Sequence, residues 1–497
     1  MPVRFALIST SEDLSGLSSR LLSAHLRGLG QETRLIYLPS PGPGRRVSPA
    51  AAQAVARLCR DADYVGQTVF TSDYYLAGQL AGALREQSPA RLIWGGIHPT
   101  VRPAECLAHA DGVAVGDGEK LLAALAAGQD FHGIPGLRTR ENQAINRGPA
   151  APTPDLDTLP APDFSFQGHY LVDPQEGWAA PLTFELWARR QHQNYTDLAG
   201  RPRIYYRTMT TRGCPFNCTY CSNGVYQGLY GPRHFRARSL EQVLAELAMV
   251  RAAHPQVELI HFTDDNFFSR RQAEIARFAE LYRRDIGLPF YAVGHPANLT
   301  PAKLDSLLAA GLVRLSLGLQ SGSRTTLRRY GRNTPLSVAA NAVKLLESHR
   351  RAGRLLPAKY DVILGDPLEP PRETARSVAF LAGLPGRFAL HSLLFLPGTA
   401  LAQEARLAGL PLGPAEEGYA GYRAREKDYF QLVAGLLNNP LAPRLLVRSL
   451  ARPGLANLSR QSPAFRRFTR HSLGFLDQGH QLLRRSRAWL HRRLSRT

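Results

Sequence analysis

The sequence predicts an α/β protein in which two parallel-sheet domains follow one another and a helical extension ends the chain. Three observations predict this class. Apolar runs typical of buried strands alternate with helical patterns twice along the chain, a proline-rich stretch at residues 152–163 separates the two series, and strand patterns stop near residue 400. At 497 residues the chain is long enough for two or three domains. We therefore expect domains at 1–140 and 204–400, a connection at 141–203 and a helical, arginine-rich region at 401–497.

The first series predicts a Rossmann-like, flavodoxin-like domain. Predicted helices separate the predicted strands, which is typical of a parallel sheet covered on both faces. The predicted strands are Val3–Ile8, Arg34–Leu38, Tyr64–Phe70, Arg91–Trp94 and Gly112–Val115, and the predicted helices are Ser15–Leu29, Pro49–Arg60, Asp73–Glu86 and Pro103–Ala108.

Ligands in such a sheet bind beyond the carboxyl ends of the strands. The residues that we expect there are Thr71, Ser72, Gly95, Gly96, Gly116 and Gly118. Glycines at these ends would let a large flat ligand approach the backbone closely. On periodicity alone, any flavodoxin-like domain fits this pattern.

The second series predicts a partial (βα)6 barrel of the TIM type, because about six strand–helix units replace the eight of a closed barrel. The predicted strands are Ile204–Thr208, Glu258–Phe262, Pro289–Val293, Val313–Leu317, Tyr360–Leu364 and Ala389–Phe395, and the main helices between them are Ser239–Arg251, Arg271–Arg284, Pro301–Ala310 and Leu336–Arg351. Residues 167–203, which precede this series, show no clear periodicity.

Three cysteines follow the first strand of this series. Cys214, Cys218 and Cys221 are spaced so that their thiolates can ligate three irons of one cubane cluster and leave the fourth iron open. The alternatives are a zinc site with His234 as fourth ligand, a disulfide framework, or cysteines that only pack. The chain has five cysteines, an odd number, and does not begin with a signal-like apolar run, so we expect a reducing, cytoplasmic compartment.

The stretch Cys214-x3-Cys218-x-Tyr220-Cys221 resembles the signature of radical S-adenosylmethionine (SAM) enzymes. The resemblance implies a 4Fe-4S cluster whose open iron is chelated by SAM, with Tyr220 next to the bound cofactor. It also implies an enzyme that uses a 5'-deoxyadenosyl radical and an external one-electron reductant.

The same resemblance implies further SAM contacts at the ends of later strands. Asp265 would receive the methionyl amine, although an acidic helix cap is an equal alternative for this residue. Gln320 and Ser321 would contact the carboxylate and ribose. In the segment that follows Gly365, this sequence departs from the family pattern by the extra residues Leu368 to Arg372.

The first domain resembles the cobalamin-binding domain that precedes many radical SAM cores. The resemblance is carried by Trp94-Gly-Gly-x-His-Pro-Thr, then Pro103-Ala-Glu-Cys-Leu, then Gly116-Asp-Gly-Glu. The loop at residues 9–16 has no histidine, so the resemblance implies cobalamin bound base-off without a histidine ligand.

The two resemblances together imply a methyltransferase, similar to the class B radical SAM methyltransferases. It would methylate an unreactive carbon of a small-molecule or lipid-like substrate. A radical cyclisation or rearrangement without methylation is the first alternative. RNA modification is the second, but RNA-modifying relatives have three further cluster cysteines and this chain has only Cys59 and Cys106 in addition. We do not expect a nucleic acid partner.

The net charge of +21 is concentrated at the C-terminus, since residues 441–497 hold thirteen arginines against one aspartate. Leu476, Leu483, Leu490 and Leu494 would share one helix face there. Such a helix can dock on its own protein, or it can make peripheral contact with the inner membrane surface. Arg236 and Arg238, near the cysteines, are expected on a solvated face rather than in contact with a carboxylate or phosphate.

Overall fold

The computed structural model describes residues 1–12, 14–41, 46–142, 148–149, 151–153, 155–191, 195–410, 412 and 428–473. Two compact units divide the chain. The first contains Met1–Phe267, Arg277–Phe290 and Phe395–Gly421, and the second contains Phe268–Ala276, Tyr291–Leu394 and Tyr422–Thr497. Among the described helices, none combines the length and the apolar character that a membrane span requires.

The first unit contains an eight-stranded sheet with the order β6-β5-β4-β3-β1-β2-β7-β8. Its strands are β1 Arg4–Ser9, β2 Glu32–Tyr37, β3 Tyr64–Thr68, β4 Arg91–Gly95, β5 Gly112–Ala114, β6 Leu137–Arg138, β7 His169–Val172 and β8 Ala179–Pro181. The pairs from β5 through β7 are parallel, and β6 and β8 are antiparallel edge strands. The central order is flavodoxin-like, as predicted.

Seven α-helices accompany the sheet in the described part of this region. They are α1 Leu17–Gly28, α2 Pro49–Leu58, α3 Tyr74–Gln87, α4 Ile97–Val101, α5 Pro103–Cys106, α6 Glu119–Ala126 and α7 Phe184–Arg189. Helix α2 begins where Ser48 accepts a hydrogen bond from the Ala51 amide and Pro49 occupies the first turn. Apolar side chains of α2 and α3 form one buried cluster with the sheet, including Val55, Leu80 and Val65.

The connection at 141–203 supplies two strands that the sequence did not predict. β7 pairs in parallel with β2, and β8 pairs with β7. These strands extend the N-terminal sheet at the edge opposite β6. The domain boundaries themselves stay a prediction.

The cysteines lie in a loop that is closed by a short ribbon. The elements around them are β9 Tyr205–Thr208, β10 Thr211–Arg212, α8 Asn223–Tyr230, β11 Arg236–Ala237, α9 Leu240–Ala253 and β12 Leu259–Phe262. β9 and β12 are parallel, whereas β10 and β11 pair antiparallel at Thr211↔Ala237 and Arg212↔Arg236. We call residues 213–235 the cysteine loop.

The alternation of helices and strands continues as predicted. The elements are α10 Gln272–Asp285, β13 Phe290–Gly294, α11 Pro301–Ala310, β14 Leu312–Gln320, α12 Arg324–Arg329, α13 Leu336–Arg351, β15 Lys359–Ile363, α14 Pro371–Ala382 and β16 Phe388–His391. In the second unit β14, β15 and β16 are parallel neighbours. An α/β fold with two parallel-sheet regions is therefore confirmed.

The described part of the C-terminal region is helical. It contains α15 Ala400–Leu407, α16 Tyr429–Gly435, α17 Arg444–Leu450 and α18 Pro453–Gln461. A capping box of Asp428 and Gln431 begins α16. The predicted leucine face at 476–494 lies outside the described residues.

Candidate functional site

A cavity of about 440 Å3 in the first unit brings both predicted cofactor regions together. One wall consists of the carboxyl ends of β3, β4 and β5 with the side of α1. The other wall consists of residues in and around the cysteine loop. Residues that line the cavity include Gly66, Gln67, Thr68, Phe70, Gly95, Gly96, Gly116, Gly118, Glu119, Arg212, Gly213, Ser222, Asn223, Tyr226, His234 and Asp265.

The four predicted glycines all line this cavity. Gly96 has φ +103° and Gly116 has φ +93°, a backbone conformation that favours glycine. A Cβ atom on Gly96 would lie 3.0 Å from the carbonyl oxygen of Val69. These strand ends therefore present bare backbone to the cavity.

Thr71 and Ser72 lie elsewhere and are not among the residues that line the cavity. The hydroxyl of Thr71 is 3.3 Å from Nδ1 of buried His98, and Ser72 donates to Asp73. Asp73 in turn accepts a hydrogen bond of 2.7 Å from Thr10. Both side chains thus hold the start of α3, and their role as cofactor contacts stays a prediction.

Buried polar atoms that find no hydrogen-bond partner in the described part of the chain mark the cavity wall. They are both amide atoms of Gln67, Oε2 of Glu119 and Nε of Arg236. A buried polar atom is costly unless it is hydrogen-bonded. A ligand that carries both donors and acceptors would satisfy them, and the carboxamides along the edge of cobalamin are such groups. The glycines leave room for a large flat ligand, and the polar atoms without partners can bond its edge, so the cavity wall fits cobalamin.

The cysteine loop is braced by His234. Its Nε2 lies 2.7 Å from the carbonyl oxygen of Cys214, and its Nδ1 lies 2.9 Å from that of Gly231. Gly213, with φ +83°, lets the two segments approach, since a Cβ atom there would overlap the carbonyl of His234. Both ring nitrogens face carbonyl groups, so His234 serves as a brace and not as the zinc ligand considered above.

The three loop cysteines differ from the two others in their surroundings. Asn223 approaches Sγ of Cys221 at 3.7 Å, and burial raises the pKa of the Cys214 thiol to about 11. Iron binding would offset that burial, because metals bind the deprotonated thiolate. Gly213, Ser222 and Asn223, which flank the first and third cysteines, line the cavity. The spacing of the three thiols along the chain, next to these wall residues, fits a cubane cluster with one open iron.

Cys59 and Cys106 are fully buried, and burial raises the pKa of each thiol to about 12. Both belong to the apolar cluster between the sheet and its helices. They are packing residues.

The two acidic residues after β12 have separate roles. Asp264 is buried and accepts hydrogen bonds from the hydroxyls of Thr210 and Thr211, both at 2.7 Å. Asp265 faces the cavity. Desolvation by the surrounding protein raises the pKa of its carboxyl group, and a hydrogen bond from Asn223 offsets part of that rise. Asp264 thus fixes the local backbone, and Asp265 is available to a cationic group such as an amine.

In the second unit, Gln320 and Ser321 occupy a sharp turn after β14. Gln320 has φ +68°, which is rare for a residue with a side chain, and a bulge in the β14–β15 pairing ends at this residue. Ser321 is buried and lies 2.8 Å from Ser377, while its oxygen accepts from the Ser323 amide. Gln320 remains our predicted SAM contact, whereas Ser321 already has protein partners.

The extra residues at 368–372 are tied to the second unit by Glu369. This buried carboxyl group accepts hydrogen bonds from Thr326 and Thr374, and desolvation raises its pKa. The departure from the family pattern is therefore an anchored turn.

Arg236 and Arg238 are paired, and the expectation of a solvated face was wrong. Arg236 lies 2.8 Å from Asp117, and Arg238 lies 2.6 Å from Glu246. Arg212 pairs with Glu119 at 2.7 Å in the same region. In the sequence, Asp117 and Glu119 are recognisable only as part of the motif Gly116-Asp-Gly-Glu. Their pairing with Arg236 and Arg212 could not be predicted, because the acids and the arginines are distant along the chain.

Comparison with known proteins identifies both regions. The family model "Radical SAM superfamily" matches residues 208–381, and the model "B12 binding domain" matches residues 3–126.

Two curated relatives and one solved structure illustrate the similarity. An uncharacterised methyltransferase of Pyrococcus horikoshii is 25% identical over 353 residues, which cover 69% of this chain and 69% of that protein. The anaerobic magnesium-protoporphyrin IX monomethyl ester cyclase of Rubrivivax gelatinosus is 24% identical over 58% of this chain and 49% of its own length.

The solved structure is that of the radical S-adenosylmethionine methyltransferase TsrM of Kitasatospora setae, with cobalamin and a [4Fe-4S] cluster bound. It aligns with a TM-score of 0.59 and 18% identity, and the alignment covers 83% of this chain and 76% of that one. This similarity concerns the fold.

The matched domains confirm an enzyme whose cofactors are a 4Fe-4S cluster, SAM and cobalamin, and which needs an external reductant. Together with the cavity and the cysteine loop, they show that this chain belongs to the radical SAM superfamily, among the members that carry an N-terminal B12-binding domain.

Proposed function

We propose that this enzyme methylates an unreactive carbon of a small-molecule substrate in a cobalamin-dependent radical reaction. One observation carries the proposal. A single cavity is lined both by the glycine-bearing strand ends of the B12-binding domain and by residues that flank the cluster cysteines. A methyl donor and a hydrogen-abstracting cofactor would therefore share one reaction space.

When bound, the cluster with SAM supplies a hydrogen-abstracting radical, and cobalamin supplies the methyl group. The chain's own residues position and enclose these groups. Asp265 would hold a cationic amine at the cluster side, and Asn223 would orient the thiolate of Cys221. Leu17, Leu21 and Leu22 of α1 give the cavity an apolar wall that excludes water from a reactive intermediate.

The test is anaerobic reconstitution of the full-length protein with iron, sulfide, hydroxocobalamin and SAM, followed by reduction and analysis of the nucleosides. Methylation requires both 5'-deoxyadenosine and S-adenosylhomocysteine, with the second compound rising when a substrate is added. A variant with all three loop cysteines changed to alanine is the control and should form neither compound. Formation of 5'-deoxyadenosine without S-adenosylhomocysteine across the substrate panel would overturn the proposal.

Radical cyclisation without methylation is the second candidate. It is favoured by the similarity to cyclases that act on a magnesium porphyrin ester, although this chain spans only about half the length of the Rubrivivax enzyme. In the same experiment a cyclase would yield 5'-deoxyadenosine and a substrate product two hydrogens lighter. The product masses therefore decide between the two reactions.

A lipid-like substrate is the more specific form of the proposal. It is supported by exposed apolar side chains among arginines in the described C-terminal region, such as Leu441 in a turn and Leu445 and Phe468 in helices. An enzyme that meets its substrate at a membrane should sediment with anionic vesicles at low salt and be released at high salt. Equal recovery in the supernatant with and without vesicles would restrict the substrate to water-soluble molecules.

A further inference from the structure

We propose that four charged residues couple cobalamin binding to cluster binding in this enzyme. They are Asp117 and Glu119 of the B12-binding domain and Arg212 and Arg236 at the two ends of the cysteine loop, and we call them the ionic latch. The inference rests on the two cofactor sites and not on the methylation proposed above.

The latch closes the neck of the cysteine loop. The ribbon consists of two residue pairs, Thr211↔Ala237 and Arg212↔Arg236. The two arginines therefore face each other across its strands. Like charges that face each other across two strands repel. The short ribbon therefore needs a counter-charge to hold the loop ends together.

Two carboxylates of the B12-binding domain supply that counter-charge. Asp117 Oδ2 lies 2.8 Å from Arg236 and 3.7 Å from Arg212, and Glu119 Oε1 lies 2.7 Å from Arg212. The Asp117 amide also donates to the hydroxyl of Tyr230, at the end of α8, at 2.7 Å.

All four side chains are largely shielded from water. Their exposed fractions are 13% for Asp117, 6% for Glu119, 18% for Arg212 and 8% for Arg236. A buried ion pair that loses one partner is strongly destabilised, because the remaining charge stays buried without compensation. An ionic latch with all four charges is therefore much more stable than one that lacks a single charge.

The same carboxylates lie next to the expected corrin contacts. Gly116 and Gly118 flank Asp117, and both line the cavity with Glu119. Oε2 of Glu119 and Nε of Arg236 have no hydrogen-bond partner among the described residues. A cobalamin carboxamide bonded to either atom would fix a latch residue, and through it the neck of the loop that holds the cluster.

Coupling of this kind is reciprocal. If an ordered cysteine loop strengthens cobalamin binding, bound cobalamin must favour the ordered loop by the same factor. Arg212 acts here as a positioning residue, two positions before Cys214.

The test measures hydroxocobalamin affinity of the full-length protein, with and without the reconstituted cluster, by equilibrium dialysis under anaerobic conditions. We expect the cluster to tighten binding in the wild type by about fivefold or more, the lower end of common coupling factors. In Arg212→Met the two affinities should differ less than twofold. Arg212→Lys should restore part of the coupling, because it keeps the charge but loses the forked geometry.

A matched control separates coupling from general stability. Arg238→Met removes another buried ion pair of the same unit, with Glu246, that does not line the cavity. It should lower the melting temperature and leave the coupling factor at its wild-type value.

The double variant Arg212→Met/Glu119→Gln removes both charges and guards against a single variant that fails to fold. The proposal is overturned if the wild type shows equal affinities with and without the cluster. It is also overturned if folded Arg212→Met, or the double variant, keeps the wild-type coupling factor.

Discussion

Replacement of Gly213 by alanine is expected to destroy the cluster site while the rest of the protein still folds. Gly213 directly precedes Cys214 and has φ +83°. A Cβ atom there would overlap the carbonyl oxygen of His234 and lie 3.1 Å from its carbonyl carbon. The alanine and the backbone at His234 cannot keep their present positions together.

The size of the effect follows from two contributions. An alanine with positive φ costs about 1–2 kcal/mol in conformational strain. Displacement of His234 removes its hydrogen bond to the carbonyl of Cys214, which contributes about 1 kcal/mol. We therefore expect a loss of about 2–3 kcal/mol in the free energy of unfolding, with the strain concentrated next to the first cluster ligand.

Iron content and urea unfolding test this expectation. Gly200→Ala is the matched control, because Gly200 has φ +79° in the same unit but, apart from its two chain neighbours, no described residue has an atom within 4 Å of its Cβ position. In Gly200→Ala the free energy of unfolding should fall only by the contribution of conformational strain, and this variant should bind a full cluster. A Gly213→Ala protein with wild-type iron content, or one no less stable than Gly200→Ala, would refute the reasoning.

Three further expectations concern the cofactors and the acid stability of the fold. Serine at any one of Cys214, Cys218 or Cys221 should lower bound iron below half of the wild-type value. Serine at Cys59 or Cys106 should leave the iron content unchanged. An iron assay and the absorbance of the cluster near 400 nm measure the iron content of each variant. Asp265→Asn should weaken SAM binding about tenfold, since about 1.4 kcal/mol of charge-assisted hydrogen bonding is lost, and calorimetry on the cluster-loaded protein should show it. Burial alone would raise the pKa of Asp163. Hydrogen bonds to its carboxylate, of which the one from His169 has the largest effect, lower the pKa below its usual range instead. Its stabilising effect is therefore complete above pH about 4 and is lost progressively as the pH falls further, so wild type and Asp163→Asn should differ most in urea stability at neutral pH and differ less and less below pH about 4. Convergence already at pH 6 would argue against this assignment.

Most strands and helices could be predicted because their periodicity reflects burial. Helix Leu336–Arg351 and helix Pro301–Ala310 have the predicted bounds, and the latter is framed by a threonine cap, a proline in the first turn and a glycine at its end. Such signals lie within the segment itself. The cysteine motif is likewise local, so its chemistry was accessible from spacing.

Features that depend on distant partners were not accessible. β8, Ala179–Pro181, is a short, mostly exposed edge strand that contains proline, and only its pairing with β7 makes it a strand. Arg236 looks like a surface residue in the sequence because Asp117 is 119 positions away. Thr71 and Ser72 follow the carboxyl end of β3, but that position does not reveal that their hydroxyls point to His98 and Asp73.

The stretch Gly116-Asp117-Gly118-Glu119 combines two functions that single substitutions should separate. All four residues line the cavity, and the two acids also pair with the arginines at the ends of the cysteine loop. Gly118 has ordinary helical backbone angles, and a Cβ atom there would meet Leu22 at a normal 3.5 Å. Gly118→Ala should therefore fold normally, and its methyl group would occupy space that cobalamin needs.

We expect Gly118→Ala to weaken hydroxocobalamin binding about tenfold both with and without the cluster, so that the coupling factor is preserved. Asp117→Asn should do the opposite and reduce the coupling factor, because it leaves two arginines facing each other at the neck of the loop. Equilibrium dialysis distinguishes the two patterns. If both variants changed affinity and coupling together, the glycines and the acids would have to act as one contact surface, and the separation of functions argued from their positions would be wrong.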